Sequence, residues 1–219
     1  MIDLKRYKTI IFDCDGVILD SNKIKTDGFF HVTKKHGETL ANKLVEYHIK
    51  NGGKSRQKKF RYFYEKIYRS SNPEEDIDHS INEYGKYVKQ MLMNATINNG
   101  LKKMFAENNG DSNWLVVSGG NQEELKAIFK HLDIFKFFNG GIFGNPDSKE
   151  HILKREILSK NINFPALYIG DSKYDYEVSF KNKIEFCFAS NWSEFVEWKS
   201  YFADKNIFIV DGLQDLVSA

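Results

Sequence analysis

The sequence predicts an α/β protein with a doubly wound, mostly parallel sheet and a helical domain inserted after the first strand. Three observations favour this class. Five short apolar runs are continuous rather than alternating, which is typical of strands buried on both faces of a parallel sheet. Helical patterns separate most of these runs, and the long stretch from residue 19 to residue 97 contains no convincing strand.

The five apolar runs are the predicted strands. They comprise Thr9–Phe12, Trp114–Val117, Ala166–Ile169, Phe186–Ala189 and Ile207–Val210. Between them, Gln122–Leu132 and Glu150–Asn161 carry apolar residues at helical spacing, which predicts amphipathic helices. Strand–helix alternation of this kind is typical of a doubly wound sheet.

The stretch after the first strand has helical periodicity instead. Its apolar and aromatic stripes run through four segments, Thr26–Lys35, Thr39–Ile49, Phe60–Tyr68 and Ile77–Met91. A structureless loop of this length inside a compact domain would be unusual, so these segments predict helices.

These patterns predict two domains with short hinges near Leu19–Asn22 and Asn94–Asn99. Residues 1–18 and 98–219 form the predicted α/β core, and residues 19–97 form the predicted helical domain.

Composition excludes several classes of protein. The 219-residue chain carries 32 Lys+Arg and 30 Asp+Glu, so no strong field would attract nucleic acid or an anionic membrane. Its 41% hydrophobic residues exclude a disordered chain. Cys14 and Cys187 form neither a disulfide framework nor a metal-binding CxxC motif. With no signal-peptide pattern and no apolar run near 18 residues, we expect a soluble, cytoplasmic protein of unknown oligomeric state.

Two acidic residues follow the first strand, in the sequence Asp13-Cys14-Asp15-Gly16. Side chains alternate along a strand, so both carboxylates lie on one side. Two carboxylates 4 Å apart repel by about 4 kcal/mol at an effective dielectric near 20. The pair therefore indicates a bound cation or a proton held on one carboxylate, with a turn capped by aspartates as the alternative.

Two further segments favour an anionic ligand. Ser118-Gly119-Gly120 follows the second strand and offers a hydroxyl and free amides to an anion. A helix begins directly after this segment, and Asn121 and Glu124 predict a capping box at its start. Lys149 falls in the first turn of a helix that Asp147 or Ser148 caps, where the helix dipole disfavours a cation. An exposed first-turn lysine without function is the alternative for Lys149.

A second acidic pair, Asp171 and Asp175, follows the strand at Ala166–Ile169. Strand ends of a parallel sheet meet at its carboxyl edge, so this pair and the aspartates after the first strand should lie close together. Such an oxygen-rich site suits Mg²⁺. The sequence contains no HExxH pattern that would suit zinc.

The segment from Asp13 to Ser21 resembles the first motif, DxDGxxxDS, of the haloacid dehalogenase (HAD) superfamily. Ser118, Lys149 and the segment Gly170-Asp171-Ser172…Asp175 resemble the three later motifs, in the family's order. The helical insertion resembles the C1 cap of the phosphoglycolate phosphatase and β-phosphoglucomutase branch. Glu150 and Ser179 depart from that branch, which usually has proline and alanine there, but neither departure removes a catalytic group.

The resemblance implies a Mg²⁺-dependent phosphatase acting on a small phosphorylated metabolite. It assigns Asp13 as the nucleophile that forms an aspartyl-phosphate, and Asp15 as the general acid and then base. The implied metal ligands are Asp13, the backbone carbonyl of Asp15, and Asp171, with Asp175 in support. The implied phosphoryl-binding groups are Ser118, the Gly119 amide and Lys149.

In the helical domain, the segment Asn51–Arg56 resembles the substrate-specificity loop of C1 caps, which implies that Gly53, Lys54 and Arg56 approach the substrate. The basic run Lys54–Lys59 to which Arg56 belongs could equally be a solvated helix start.

Two alternatives stay open, a phosphomutase using the same intermediate and a non-catalytic phosphate-binding protein. Asp15 disfavours dehalogenase chemistry, which lacks an acid at this position, and the chain is too long for a receiver domain.

Overall fold

The computed structural model describes residues 2–108 and 112–217 and contains a six-stranded sheet. The strands are β1 (Thr9–Phe12), β2 (Asn113–Asn121), β3 (Gly141–Asn145), β4 (Ala166–Gly170), β5 (Glu185–Ala189) and β6 (Phe208–Val210). Their order is β3-β2-β1-β4-β5-β6, and every neighbouring pair is parallel. The predicted α/β class with a parallel sheet is confirmed.

Helices cover both faces of this sheet. They are α5 (Gly100–Asn108), α6 (Gln122–His131), α7 (Lys149–Leu158), α8 (Lys173–Lys181) and α9 (Trp198–Phe202). The neighbouring residues Ile10 and Ile11 belong to two different apolar clusters, because successive side chains of β1 point to opposite faces. One cluster includes Leu125 of α6 and the other Ile152 of α7. The sheet is therefore doubly wound, as predicted.

Strand β3 was not predicted from the sequence. Its only large apolar residues, Ile142 and Phe143, lie between glycines, so it lacks a continuous apolar run. It occupies one edge of the sheet and pairs only with β2, which explains why its residues alternate between buried and partly buried. The run Ile207–Val210 did predict the other edge strand, β6, but Phe208 and Ile209 are exposed, so the expectation of burial on both faces is wrong for that strand.

The residues after β1 form a helical insertion, defined here as residues 22–92. It contains α1 (Asn22–Thr33), α2 (Glu38–Lys50), α3 (Arg56–Tyr62), a π-helical turn (Phe63–Ile67) and α4 (Pro73–Leu92). Its interior is aromatic, with ring centroids of Phe29 lying 5.2 Å from Phe60 and 4.5 Å from Tyr84. The helices predicted from the apolar stripes are present.

The two connections of the insertion run side by side. Leu19 and Ile97 form an antiparallel bridge, and the Asp20 amide donates to the Thr96 carbonyl at 2.9 Å. These residues fall within or beside the predicted hinges. The division into residues 1–18 with 98–219 and residues 19–97 stays a prediction.

Within the described ranges, no helix combines the length and apolar character that a membrane crossing requires.

Gly100 packs against the backbone of the C-terminal turn Leu213–Leu216. A Cβ at this position would lie 2.2 Å from the Gln214 nitrogen and 2.3 Å from the Leu213 carbonyl carbon. Alanine is normally favoured over glycine in a helix by about 0.5–1 kcal/mol. Because the clash is with backbone, we expect Gly100→Ala instead to lower the free energy of unfolding by about 1–3 kcal/mol in urea titrations.

The control for this variant is Lys102→Ala, an exposed position on the same helix, which should change the free energy by less than about 0.5 kcal/mol. An unchanged or increased stability of Gly100→Ala would contradict the packing described here.

Candidate functional site

The candidate residues identified in the sequence lie together at the carboxyl edge of the sheet. Asp13 follows β1, Ser118 and Gly119 lie in the last part of β2, Asp171 follows β4, and Lys149 begins α7. All of these side chains are buried, and Gly119 is partly exposed. Four distant segments of the chain therefore contribute to one site.

Three buried carboxylates form the centre of this site. Asp13, Asp171 and Asp175 each place a carboxylate oxygen within 4.8 Å of the other two. Burial, reinforced by the neighbouring aspartates and opposed by Lys149, raises the pKa of Asp13 to about 7. Burial and the charges of Asp13 and Asp175 also raise the pKa of Asp171 well above its usual value. A cluster of hard oxygen donors with this excess of negative charge fits a divalent cation.

Lys149 supplies the positive charge next to this cluster. Its Nζ lies 2.9 Å from Asp13 Oδ2 and 2.6 Å from Asp175 Oδ1, and the side chain is 1% exposed. Burial disfavours the ammonium form, but the two carboxylates outweigh it and raise the pKa of Lys149 well above its usual value. Lys149 is therefore not exposed, and that part of the alternative is wrong. Ser148 caps this helix through a bond from the His151 amide.

Asp175 is held by several donors. Its Oδ1 accepts from Lys149 and lies 3.1 Å from the Tyr168 hydroxyl, while its Oδ2 accepts from the Ser172 amide and from Ser172 Oγ at 2.6 Å. Ser172 and Asp175 form a capping box at the start of α8. With both oxygens engaged, Asp175 is placed to position Lys149. Tyr168, which the sequence analysis missed, also lies 3.0 Å from the Val117 carbonyl.

Asp15 faces the helical insertion rather than the carboxylate cluster. Its Oδ1 accepts from Ser21 Oγ at 2.6 Å, and its Oδ2 forms an ion pair with Lys25 of α1. Burial opposes ionisation, but Lys25 and Ser21 outweigh it and lower the pKa of Asp15. The side chain is therefore ionised here. No local sequence pattern marks Lys25 as part of the site.

Gly16 allows the loop after β1 to pass directly over Asp171. Its φ is +74°, and a Cβ there would lie 2.3 Å from Asp171 Oδ2 and 2.4 Å from Asn22 Nδ2. Asn22 donates to Asp171 Oδ2 at 2.6 Å and to the Trp192 carbonyl at 2.8 Å. The first residue of the helical insertion thus orients a carboxylate of the cluster.

The predicted specificity segment lies over the end of β2. A Cβ at Gly119 would be 2.4 Å from the Gly53 carbonyl oxygen, so the two backbones meet closely. Lys54 is exposed, and its Nζ donates to Asn51 Oδ1 at 2.7 Å. Arg56 makes two hydrogen bonds to the carboxylate of Glu124 on α6, at 3.0 and 2.7 Å.

Asn121 caps α6, as predicted, by accepting from the Glu124 amide at 3.0 Å. The Glu124 carboxylate binds Arg56 instead of completing the predicted capping box. That part of the prediction is wrong because a distant residue competes for the side chain.

A cavity of about 790 Å³ lies between the sheet edge and the helical insertion. Asp13, Asp15 and Asp171 line it on the sheet side, and Gly53 and Arg56 line it from the insertion. Its volume is in the range of sites that take small molecules.

The fold and this site define a Rossmann-like α/β core with a helical insertion over a carboxylate cluster. The family model for haloacid dehalogenase-like hydrolases matches residues 10–189. The chain belongs to the haloacid dehalogenase-like hydrolase family, which confirms the resemblance found in the sequence.

Solved structures agree with this assignment. A haloacid dehalogenase-like family hydrolase from Streptococcus pneumoniae is 18% identical, with a TM-score of 0.72 over 97% of this chain and 98% of that one. A protein provisionally named phosphoglycolate phosphatase from Lactobacillus plantarum is 15% identical, with a TM-score of 0.73 over 96% and 97%. A provisionally named β-phosphoglucomutase from Thermotoga maritima is 16% identical, with a TM-score of 0.66 over 96% of both chains. No curated protein matches the sequence significantly.

The carboxylate cluster predicts that a divalent cation stabilises the fold. At a Mg²⁺ concentration 100 times the dissociation constant, binding contributes about 2.7 kcal/mol, or about 5–10 °C in Tm for a chain of this size. Asp171→Asn should lose this shift, since it removes a ligand charge. Its apo form should be at least as stable as the wild type, because an amide oxygen can still accept from Asn22 and one buried negative charge is gone.

Differential scanning fluorimetry with and without Mg²⁺ measures both effects. Asp78→Asn, at an exposed position on α4, is the matched control and should keep the full shift. An undiminished shift in Asp171→Asn would contradict a cation site at the cluster.

Proposed function

We propose that this hydrolase is a Mg²⁺-dependent phosphatase that transfers the phosphoryl group of a small metabolite to Asp13 and then to water. The observation that supports it most strongly is the position of Asp13. Its Oδ2 lies 2.9 Å from the buried ammonium of Lys149, inside a carboxylate cluster that opens into a cavity of metabolite size.

The charges around Asp13 address the main obstacle to this reaction, the repulsion between a carboxylate and a phosphate dianion. The buried ammonium of Lys149 offsets part of the negative charge at short range, where the low dielectric strengthens its effect. Mg²⁺ held by Asp13, Asp171 and the Asp15 backbone carbonyl would supply the remaining positive charge. The Asp13 carboxylate would thereby be able to approach phosphorus.

The phosphoryl oxygens would lie against the end of β2. Ser118 Oγ is buried beside this edge and accepts from the Gly120 amide at 3.0 Å. With the Gly119 amide and Lys149, it would form a set of donors aimed at an anion. Donors already in place when charge develops in the transition state are the most effective kind of electrostatic stabilisation.

Asp15 would serve as the acid and base of the reaction. As an ionised carboxylate it is ready to take a proton from the attacking water. Protonating the leaving oxygen requires its acid form, which a substrate anion could favour by drawing Lys25 away. General acid–base catalysis of this kind contributes about 10²–10⁴ in rate.

In this proposal residues 19–97 act as a C1 cap that closes the cavity and excludes water. Gly53, Lys54 and Arg56 are its proposed specificity residues. Arg56 already shares its guanidinium with Glu124, so a substrate anion would have to share or replace that carboxylate.

The Asp13→Asn variant tests the proposed nucleophile. It should lower the kcat for p-nitrophenyl phosphate by at least about 10³-fold with Mg²⁺ present, since an amide cannot form the phosphorylated intermediate. A released-phosphate assay measures the rate, and circular dichroism verifies that the variant is folded.

Asp78→Asn, on the exposed surface of α4, should retain wild-type turnover. Full activity in Asp13→Asn would end the proposal. Isomerisation of a sugar phosphate without net release of phosphate would instead support the phosphomutase alternative.

A further inference from the structure

Two buried nitrogen atoms in the cavity wall, Lys59 Nζ and His48 Nε2, have no carboxylate within hydrogen-bonding distance among residues 2–108 and 112–217. Lys59 is 3% exposed and His48 is 7% exposed, and both line the cavity from the helical insertion. Lys59 Nζ lies 2.5 Å from His48 Nδ1. A charged lysine can only donate, so in the ammonium form of Lys59 the His48 Nδ1 accepts and the imidazole carries its hydrogen on Nε2.

The Nε2 group of His48 is buried without a hydrogen-bond partner among residues 2–108 and 112–217. The carboxylate of Glu194 is 3.8 Å away, beyond hydrogen-bonding distance, and its two oxygens each accept from Thr26 Oγ1 at 2.9 Å. A buried donor without an acceptor costs free energy. This part of the cavity wall is therefore short of an acceptor.

The other cations that the insertion places deep in the cavity are already neutralised. Lys25 pairs with Asp15, and Arg56 pairs with Glu124. In the described part of the chain, no carboxylate lies within ion-pairing distance of Lys59. Burial, together with repulsion from Lys25, outweighs the attraction of the more distant Asp15 and Glu194 and lowers the pKa of Lys59 to about 7.

Among the described residues, the Lys59 ammonium gains a cation–π contact with the ring of Phe29 but no ion pair. Its Nζ lies 5.5 Å from the centroid of Phe29, which packs against Phe60 and Tyr84. An apolar side chain of similar length would fill such a position without the cost of burying an ammonium group. Its neighbour Lys58, on the same helix, is exposed.

We propose that Lys59 and His48 form a subsite for a second anionic group of the substrate, a carboxylate or phosphate at the end remote from the phosphoryl group that Asp13 attacks. An anion there supplies the acceptor that His48 Nε2 lacks and the counter-charge that Lys59 lacks. The single cavity that reaches from Asp13 to Lys59 has room for a short phosphorylated acid. This inference rests on the proposed function and narrows its substrate class.

The test compares ligands of equal length that differ in the remote group. In the Asp13→Asn background, which blocks turnover, calorimetry with Mg²⁺ present measures the affinity for 3-phosphoglycerate and for glycerol 3-phosphate. We expect the acid to bind at least about tenfold more tightly, since a hydrogen-bonded charge pair contributes that much or more. Glycerol 1,3-bisphosphate is the third ligand and shows whether the subsite favours phosphate or carboxylate.

Adding Lys59→Met should bring the affinities for the three ligands to within about twofold of one another. Lys59→Gln serves the same purpose if the methionine variant does not fold. Lys58→Met is the matched control on the same helix and should keep the full preference. Equal affinities in the parent protein, or a preference that survives substitution of Lys59, would overturn the subsite.

A separate assay distinguishes this inference from the proposed function. With Asp13 intact, phosphate release by the wild type from p-nitrophenyl phosphate, a substrate that has no second anion, tests the phosphatase reaction without the subsite. If the wild type fails to hydrolyse aryl phosphate, the phosphatase proposal falls while the binding comparison still decides the subsite. If turnover is normal and the three ligands bind equally, the subsite falls and the phosphatase proposal stands.

Discussion

The site depends on one electrostatic constraint, the meeting of three buried carboxylates with a single buried ammonium. Lys149 pairs with Asp13 and Asp175, and Asp171 completes the cluster, which leaves more negative than positive charge among largely buried groups. The raised pKa values of Asp13 and Asp171 express the cost of this arrangement. The parallel sheet imposes it, because the ends of β1 and β4 and the first turn of α7 meet at one edge. A divalent cation is the partner that relieves it most directly.

The helical insertion is part of the site as well as a cover for it. Asn22 orients Asp171, Lys25 neutralises Asp15, and the loop at Gly53 contacts Gly119. Arg56 and Glu124 join the insertion to α6 on the far side of the cavity. Moving the insertion away from the sheet edge would break several of these contacts together. The arrangement of the acidic groups therefore depends on the position of the insertion over the sheet. That dependence would connect the binding of a substrate to the assembly of the catalytic groups.

The sequence revealed those features of the fold and site that local patterns encode. Continuous apolar runs identified the four inner strands and also the exposed edge strand β6, whereas the other edge strand, β3, has no such run. Residues at strand ends were found because the topology of a parallel sheet places them. Contacts between distant segments leave no local sequence pattern. For this reason Tyr168 and Lys25 were not predicted, and the carboxylate of Glu124 was assigned to the wrong partner. Lys59 had a usable signal, since it precedes Phe63 by one helical turn and so falls on the buried face of α3.

The most direct test of this account is a crystal structure of the protein grown with Mn²⁺, a scattering substitute for Mg²⁺, with anomalous data collected at the manganese edge. The account predicts one strong anomalous peak at the carboxyl edge of the sheet, with carboxylate oxygens of Asp13 and Asp171 both bound to it and Lys149 beside it. A map without an anomalous peak shared by those two carboxylates would contradict the central claim, whether or not Mn²⁺ is bound at another place in the crystal.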